Sequence, residues 1–185
     1  MVNPSASAVW PPAGLALAAT LLWGYRLWPG IFLGALLVNL ATPGNAATDF
    51  GIAVGNTMEA LLGAWLVNRF AHGAKAFERA PDIFKFVLLA AIVSTVVSAS
   101  VGVTSVCLGR EARWEQYAAI WSTWWVGDMM GDLIVAPLLL IWLRRPWPRL
   151  RPAQVQEAAG VLFAVMLVGV LIFLPRIPSD PGAGS

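Results

Sequence analysis

The stretch from Trp121 to Leu140 constrains the fold of this 185-residue chain most strongly, because it is a long apolar run that carries two acids. About 20 apolar residues of helix are needed to cross a bilayer, so the stretch predicts a membrane-spanning helix. Asp128 and Asp132 lie near its middle, on one helix face and one turn apart. An aspartate at the bilayer centre costs roughly 2.5–3.5 kcal/mol even on a lenient insertion scale. Both carboxyls are therefore expected to face protein or water rather than lipid.

The composition indicates an integral membrane protein. The chain is 58% hydrophobic and only 12% charged, whereas a soluble domain is about 25% charged. Ten tryptophans suit the interfacial belts of a membrane protein. The basic residues fall in short loops between apolar runs, so they indicate membrane topology, and no nucleic-acid partner is predicted.

Six apolar segments predict an all-α fold, a polytopic transmembrane bundle of about six spanning helices. The predicted spans are residues 9–25, 31–41, 50–70, 83–108, 117–143 and 155–174. Together they form a membrane-embedded bundle over residues 9–174, with an N-terminal extension at 1–8 and a disordered tail at 175–185. The first span is short for a bilayer. A tight turn at residues 26–30 and a loop at residues 42–49 separate the first three spans.

Small residues predict where helices pack closely. Gly30 and Gly34 are spaced as in close helix pairs, a spacing that permits close approach of the second span to a neighbour, although glycine is so frequent in membrane segments that the match is weak evidence. Gly51, Gly55 and Gly63 give the third span a small-residue face. The fourth span is rich in serine and threonine, whose hydroxyls commonly bond to their own helix backbone. Most of these hydroxyls are therefore expected to be structural.

The orientation follows from the loop lysines and arginines, which favour the cytoplasmic side. Three of them would lie on one side of the membrane, namely Arg110, Arg113 and Arg176. Nine would lie on the other side: Arg26, Arg69, Lys75, Arg79, Lys85, Arg144, Arg145, Arg149 and Arg151. The chain is therefore predicted to be a multi-pass protein of a bacterial inner membrane with its basic loops in the cytoplasm. Both chain ends would then lie outside.

Three motifs, in order, resemble the membrane-associated sensor domain of type 1, the MASE family. They are Val9–Ala18 with its Trp-Pro-Pro, Asn56–Gly63, and Trp124–Asp128 followed by Val135–Leu139. The resemblance covers roughly Ser5 to Leu174. It implies a bacterial inner-membrane sensor region whose output is a histidine kinase or a cyclic-di-GMP enzyme, attached in cis or acting as a partner in trans. It names no ligand or cofactor, and it allows a homodimer.

The chain departs from the family pattern in several respects. The family has one helix before the Trp-Pro-Pro motif and one after Leu174 that are missing here, and no output module follows. The chain is therefore expected to be a fragment, a truncated reading frame or a stand-alone sensor. Glu59 and Asp128 match the family motifs. Asp132 stands where the family has an apolar residue, so no role carries over to it.

The candidate ligand- or ion-binding residues are Glu59, Asp128, Asp132, Trp124, Trp125 and Asn56. Each acid is either a ligand, cation or proton site or a carboxyl that hydrogen-bonds to a neighbouring helix for packing. Asp132 could simply share a proton with Asp128. The three carboxyls could in principle hold a divalent cation through oxygen ligands.

Aromatic and amide side chains near the acids have two interpretations. Trp124 and Trp125 form either an interfacial belt or an aromatic wall for a cationic or ring-bearing ligand. Trp10, with the two prolines after it, either joins an outer vestibule or only begins a helix. Asn39 is expected to be a buried hydrogen-bond partner. Asn39, Asn56 and Ser98 are candidates to support the acids from a neighbouring helix.

Three functional hypotheses stay open. The favoured one is a sensory domain in which occupancy around the acids biases helix packing. The alternatives are a small-substrate transporter, or its membrane substrate-binding subunit, and a structural anchor that sets dimerisation. The chain contains no nucleophile-and-base set, no phosphate-binding glycine loop and no histidine-rich metal or haem group, so no enzyme is predicted.

Overall fold

A computed structural model of the chain describes residues 9–42 and 44–144, together with Gln156. The described residues form helices and contain no strand, which confirms the predicted all-α bundle. The helices, in chain order, are α1 (Pro11–Trp23), α2 (Trp28–Leu40), α3 (Ala46–Phe70), α4 (Ala80–Leu108) and α5 (Tyr117–Arg144). Short 3-10 turns precede three of them, at Tyr25–Leu27, Gly73–Glu78 and Trp114–Gln116. The predicted span at 155–174, the tail at 175–185 and the extension at 1–8 lie outside the described residues.

Three of the helices are long and apolar enough to cross a membrane. They are α3, α4 and the segment Trp114–Leu143, which contains almost all of α5. In contrast, α1 and α2 have 13 residues each. At 1.5 Å per residue each is about 20 Å long, which is less than the roughly 30 Å of a hydrocarbon core. The first two predicted spans are therefore shorter in the structure than a full crossing.

The turn between α1 and α2 lies earlier than the sequence suggested. Gly24 has a φ of 92°, a conformation that side-chain-bearing residues rarely adopt, and the chain reverses there. The predicted turn residues Trp28, Pro29 and Gly30 instead form the first turn of α2. Proline fits that position because its missing N–H would have no helical partner there.

The third helix begins within the predicted loop at residues 42–49. The side chain of Asn45 accepts a hydrogen bond from the backbone N–H of Ala47 at 2.9 Å. An asparagine at this position satisfies a backbone donor that the first helical turn leaves unpaired. The cap thereby starts α3 at Ala46, four residues before the predicted boundary.

Helix α4 contains a π-helical segment, Val87–Ser94, that hydropathy does not reveal. The wider turns disturb the ordinary backbone hydrogen bonds. The Thr95 hydroxyl bonds to the carbonyls of Ala91 and Ile92, and the Trp125 indole N–H donates to the Ile92 carbonyl at 3.1 Å. The hydroxyls of Ser94, Thr95 and Ser105 thus bond to the backbone of their own helix, as expected, whereas Ser98 bonds to a side chain of α3.

Glycines decide how closely the helices approach. A side chain at Gly51, Gly55 or Gly63 would collide with α4, which confirms the predicted small-residue face of α3. A side chain at Gly30 or Gly34 would meet nothing within 4 Å. The close approach that this spacing permits is therefore not made by any helix among the described residues.

The closest approach involving α1 is instead to the middle of α5. A Cβ on Gly14 would overlap the backbone of Gly131, and a Cβ on Gly131 would overlap the carbonyl of Trp10. The N–H of Trp10 donates to the Gly127 carbonyl at 2.8 Å. Helix α1 therefore begins halfway along α5 and runs beside its second half.

Candidate functional site

Buried polar side chains form a layer across the middle of the three long helices. Glu59 of α3 is 3% exposed, and Asp128 and Asp132 of α5 are each 1% exposed. Ser94 and Ser98 of α4 are fully buried in the same layer. The expectation that the acids face protein is confirmed. We call Glu59, Asp128 and Asp132 the acid layer.

The members of the acid layer are neighbours. Glu59 lies beside Asp128 and Ser98, and Asp132 lies beside Asp128 on the next turn of α5. Ser98 donates a hydrogen bond to the Asn56 Oδ1 at 2.8 Å, which links α4 to α3 next to the carboxyls. The fold thus brings together acids that are more than 60 residues apart in the chain.

Most carboxyl oxygens of the acid layer lack a hydrogen-bond partner among the described residues. Both oxygens of Glu59, both of Asp132 and the Oδ2 of Asp128 are buried without a hydrogen-bond partner among the described residues. Leaving such a group unsatisfied costs about 1–3 kcal/mol, and more when it is charged. The layer therefore has unused capacity to accept hydrogen bonds or to pair with a cation.

No basic side chain in the described part of the chain compensates the acid layer. The described lysines and arginines lie in connecting segments or near helix ends: Arg26, Arg69, Lys75, Arg79, Lys85, Arg110, Arg113 and Arg144. The described ion pairs of α4 lie at its first turn, where Asp82 contacts His72 and Lys85. Among the described residues, the middle of the bundle thus holds acids without matching cations.

A cavity of about 500 Å³ opens beside the acid layer, between α1 and α2 with α3 behind them. We call it the α1–α2 groove. Its polar floor is formed by Asn56 and Glu59 of α3. The other lining residues belong to α1, to α2 and to the residue just before α1: Trp10, Pro12, Ala13, Leu15, Ala16, Ala19, Gly30, Ile31, Gly34, Ala35, Val38 and Asn39. The groove is an apolar slot that ends on a carboxyl.

The candidate acids and amides are divided between the groove and the interior behind it. Glu59 and Asn56 line the groove, whereas Asp128 and Asp132 do not. Asp128 reaches the groove only through its neighbour Glu59. Asn39 lines the groove as well, but it is partly exposed, and its amide donates to the Ala35 carbonyl of its own helix at 2.8 Å.

The two candidate tryptophans of α5 lie on the α4 side of the bundle. Trp124 is adjacent to Asp128, and its ring covers Gly102 of α4. Trp125 stacks on Trp121 with ring centroids 5.7 Å apart, while its indole N–H bonds to the π-helical segment. Neither lines the groove, and the aromatic ring that does belongs to Trp10.

Sequence reasoning missed the apolar walls of the groove. Leu15, Ile31 and Val38 carry no signal beyond hydrophobicity, which every span shares. The signal that could have indicated the groove is the glycine pair of α2, Gly30 and Gly34. A helix face made of small residues leaves open space when no neighbour packs against it. The spacing of that pair equally permits a contact between helices, so it does not by itself predict an open space.

The three carboxyls do not form a metal site. Within the residues that the structure describes, no group of three or more histidine, cysteine, aspartate or glutamate side chains could hold a metal ion. The geometry therefore does not support the hypothesis that the acids together ligate a divalent cation.

Comparison with known proteins identifies one family. The family model MASE1 matches residues 1–178, which is nearly the whole chain. No curated protein and no solved structure matches at a significant level. MASE1 is a sensory rather than a catalytic domain. The order of the tryptophan, glutamate and aspartate motifs agrees with this match. The chain therefore belongs to the MASE1 family of membrane-associated sensory domains of signalling proteins.

Proposed function

We propose that this domain receives its signal at the α1–α2 groove and the acid layer behind it. In this proposal, occupancy of the groove regulates an attached or partner histidine kinase or cyclic-di-GMP enzyme in the bacterial inner membrane. The observation that carries the proposal is the set of buried carboxyl oxygens without donors, one pair of which belongs to the groove residue Glu59. The domain itself has no catalytic role in this scheme.

The packing of α1 supports a route from the groove to the rest of the bundle. One side of α1 lines the groove, while its first turn is held against α5 through Trp10 and Gly131. A ligand that separates α1 from α2 would also shift α1 along α5. A ligand can move such an equilibrium only by binding the two packings with different affinity, and each tenfold difference supplies about 1.4 kcal/mol.

The arrangement of the connecting segments supports a cytoplasmic output. The Asn68 amide donates to the Tyr25 hydroxyl at 2.9 Å, so the turn after α1 lies at the same end of the bundle as the end of α3. Arg26, Arg69 and Lys75 belong to this end. Because basic loops favour the cytoplasm, we assign this end to the cytoplasmic side, where a signalling module would read the position of α5.

The test is the cellular output of charge-removing variants. Glu59→Gln and Asp128→Asn would be introduced at the native locus, and cellular cyclic di-GMP and kinase-dependent transcription would be measured at equal protein abundance. The proposal predicts that either variant holds the output at one level whatever the growth condition. Glu115→Gln is the control, because Glu115 lies in an exposed ion pair with Arg113. Wild-type output from both variants would instead favour a structural anchor.

A transporter is the second candidate, favoured by the short helix that begins beside the acid layer. Transporters commonly place substrate sites near the bilayer centre, where helices are interrupted. Solute accumulation in proteoliposomes, driven by a proton gradient and lost in Asp128→Asn, would support transport. A gradient-independent signalling output with no accumulation would exclude it.

A further inference from the structure

The chemistry of the α1–α2 groove points to a class of ligand. Its volume of about 500 Å³ lies within the range of small-molecule sites. Its walls are mostly aliphatic, with the ring of Trp10 and the amide of Asn39 added, and its floor presents the carboxyl of Glu59. A molecule that matches the groove needs an apolar body and a polar head.

The groove is open on the outer surface of the described bundle. Leu15 of α1 and Val38 of α2 both line it and are 55% and 51% exposed. Gly34, on the same wall, is exposed with open space in front of its Cα. A ligand dissolved in the bilayer could therefore enter between the two helices without crossing the polar interface.

The head of the ligand is constrained by Glu59. This side chain is 3% exposed, and within the part of the chain that the structure describes neither of its oxygens has a hydrogen-bond partner. Asp128 stands directly behind it, so a negatively charged head would be repelled. An ammonium supplies three N–H donors together with the missing positive charge, and a charge-assisted bond of this kind is about twice as strong as a neutral one.

We propose that the groove binds a lipophilic amine, which enters from the bilayer between α1 and α2 and donates its ammonium hydrogens to Glu59. The proposal rests on the proposed function of the same site and specifies its ligand class. The apolar body lies against Leu15, Ile31 and Val38. The acid layer behind Glu59 adds negative potential, so the cation is favoured over a neutral head of the same size.

The test uses the full chain in phosphatidylcholine nanodiscs with photoreactive dodecyl probes. Dodecylamine, dodecanol and dodecanoate would each carry a diazirine at the same carbon, and labelled peptides would be mapped by mass spectrometry. The amine is expected to label α1 and α2 at the groove at least tenfold more than the other two probes. Unlabelled dodecylamine should compete for this labelling and dodecanol should not.

Two variants locate the site. Glu59→Gln removes the charge and should lower groove labelling by the amine about tenfold, which corresponds to 1.4 kcal/mol. Gly34→Leu fills the groove without a clash, because a Cβ there meets nothing within 4 Å, and should block labelling. Leu33→Met, on the exposed face of α2 outside the groove, is the matched control. Equal labelling by amine and alcohol, or full labelling of Gly34→Leu, would overturn the inference.

The binding test is independent of the signalling test. If the amine fails to label the groove while Glu59→Gln still alters cellular output, the ligand class is wrong and the proposed function stands. If the amine binds as described while Glu59→Gln and Asp128→Asn leave the output unchanged, the binding site is correct and the proposed function is wrong.

Discussion

The backbone N–H of Trp10 donates to the carbonyl oxygen of Gly127 at 2.8 Å and so joins the start of α1 to the middle of α5. Gly127 lies near the centre of a span, where water does not satisfy a free N–H. The next two residues, Pro11 and Pro12, have no N–H, and Ala13 donates to the Trp10 carbonyl. The Trp-Pro-Pro sequence therefore allows a helix to begin inside the bundle with few unpaired donors.

This junction predicts that Gly131 tolerates no side chain. In Gly131→Ala the new methyl would collide with the carbonyl of Trp10, a backbone atom that cannot rotate away. Overpacking of this kind costs roughly 1–3 kcal/mol. We expect the free energy of unfolding, measured by denaturant titration in bicelles, to fall by that amount.

A matched glycine gives the control for this prediction. Gly34→Ala places the same methyl on another apolar helix, where nothing lies within 4 Å, and should leave the unfolding free energy within about 0.5 kcal/mol of wild type. Equal losses in the two variants would show that helix α1 is not held tightly against α5.

The contact between Trp125 and the π-helical segment leads to a second prediction. Trp125→Phe keeps the ring but removes the donor to the Ile92 carbonyl, so the unfolding free energy should fall by about 0.5–1.5 kcal/mol. Hydrogen–deuterium exchange should increase at the amides of residues 87–97. Trp142→Phe, at a position that is 73% exposed, should change neither quantity. Faster exchange in both variants would contradict a specific role for the indole N–H.

The helical fold could be predicted from sequence because hydropathy alone defines long apolar segments. The span at 117–143 agrees with α5 to within a residue. Helix boundaries that depend on a single residue could not be predicted in this way. The hydrogen bond of the Asn45 cap starts α3 early, and the positive φ of Gly24 moves the turn before α2. The π-helical segment has no hydropathy signature, because its residues are as apolar as the rest of α4.

The acids of the candidate site could be identified from sequence, whereas the groove could not. A carboxyl within an apolar run stands out because its burial in lipid is so costly, and this argument located Glu59, Asp128 and Asp132. The groove depends on which helix faces remain unpacked. Gly14 and Gly131 meet while Gly30 and Gly34 do not, although the sequence gives all four the same character.

The ion pairs at the start of α4 give a third prediction. Asp82 is buried, and its two oxygens lie 2.9 Å from the His72 Nδ1 and 3.3 Å from the Lys85 Nζ. Asp82→Ala removes both contacts and should lower the thermal unfolding midpoint by several degrees. Glu115→Ala breaks a pair that is exposed on both sides and should have little effect. A midpoint for Asp82→Ala equal to that of Glu115→Ala would mean that these contacts do not anchor the connector before α4.

The acid layer predicts that Asp132 is retained at a cost in stability. Both of its oxygens are buried beside Asp128 and have no hydrogen-bond partner among residues 9–42 and 44–144. Asp132→Asn keeps the shape of the side chain and supplies two N–H donors to the carboxyl of Asp128. The free energy of unfolding should therefore rise by about 1 kcal/mol, because a buried group without a partner gains one.

Glu115→Gln, the same exchange on the surface, should leave the free energy of unfolding unchanged. Buried polar groups that lower the stability of a protein commonly serve its activity. The Asp132→Asn variant should therefore also respond less to its signal than the wild-type protein. A loss of stability in Asp132→Asn would show that its carboxyl is already satisfied and would remove the physical basis for a binding role of this residue.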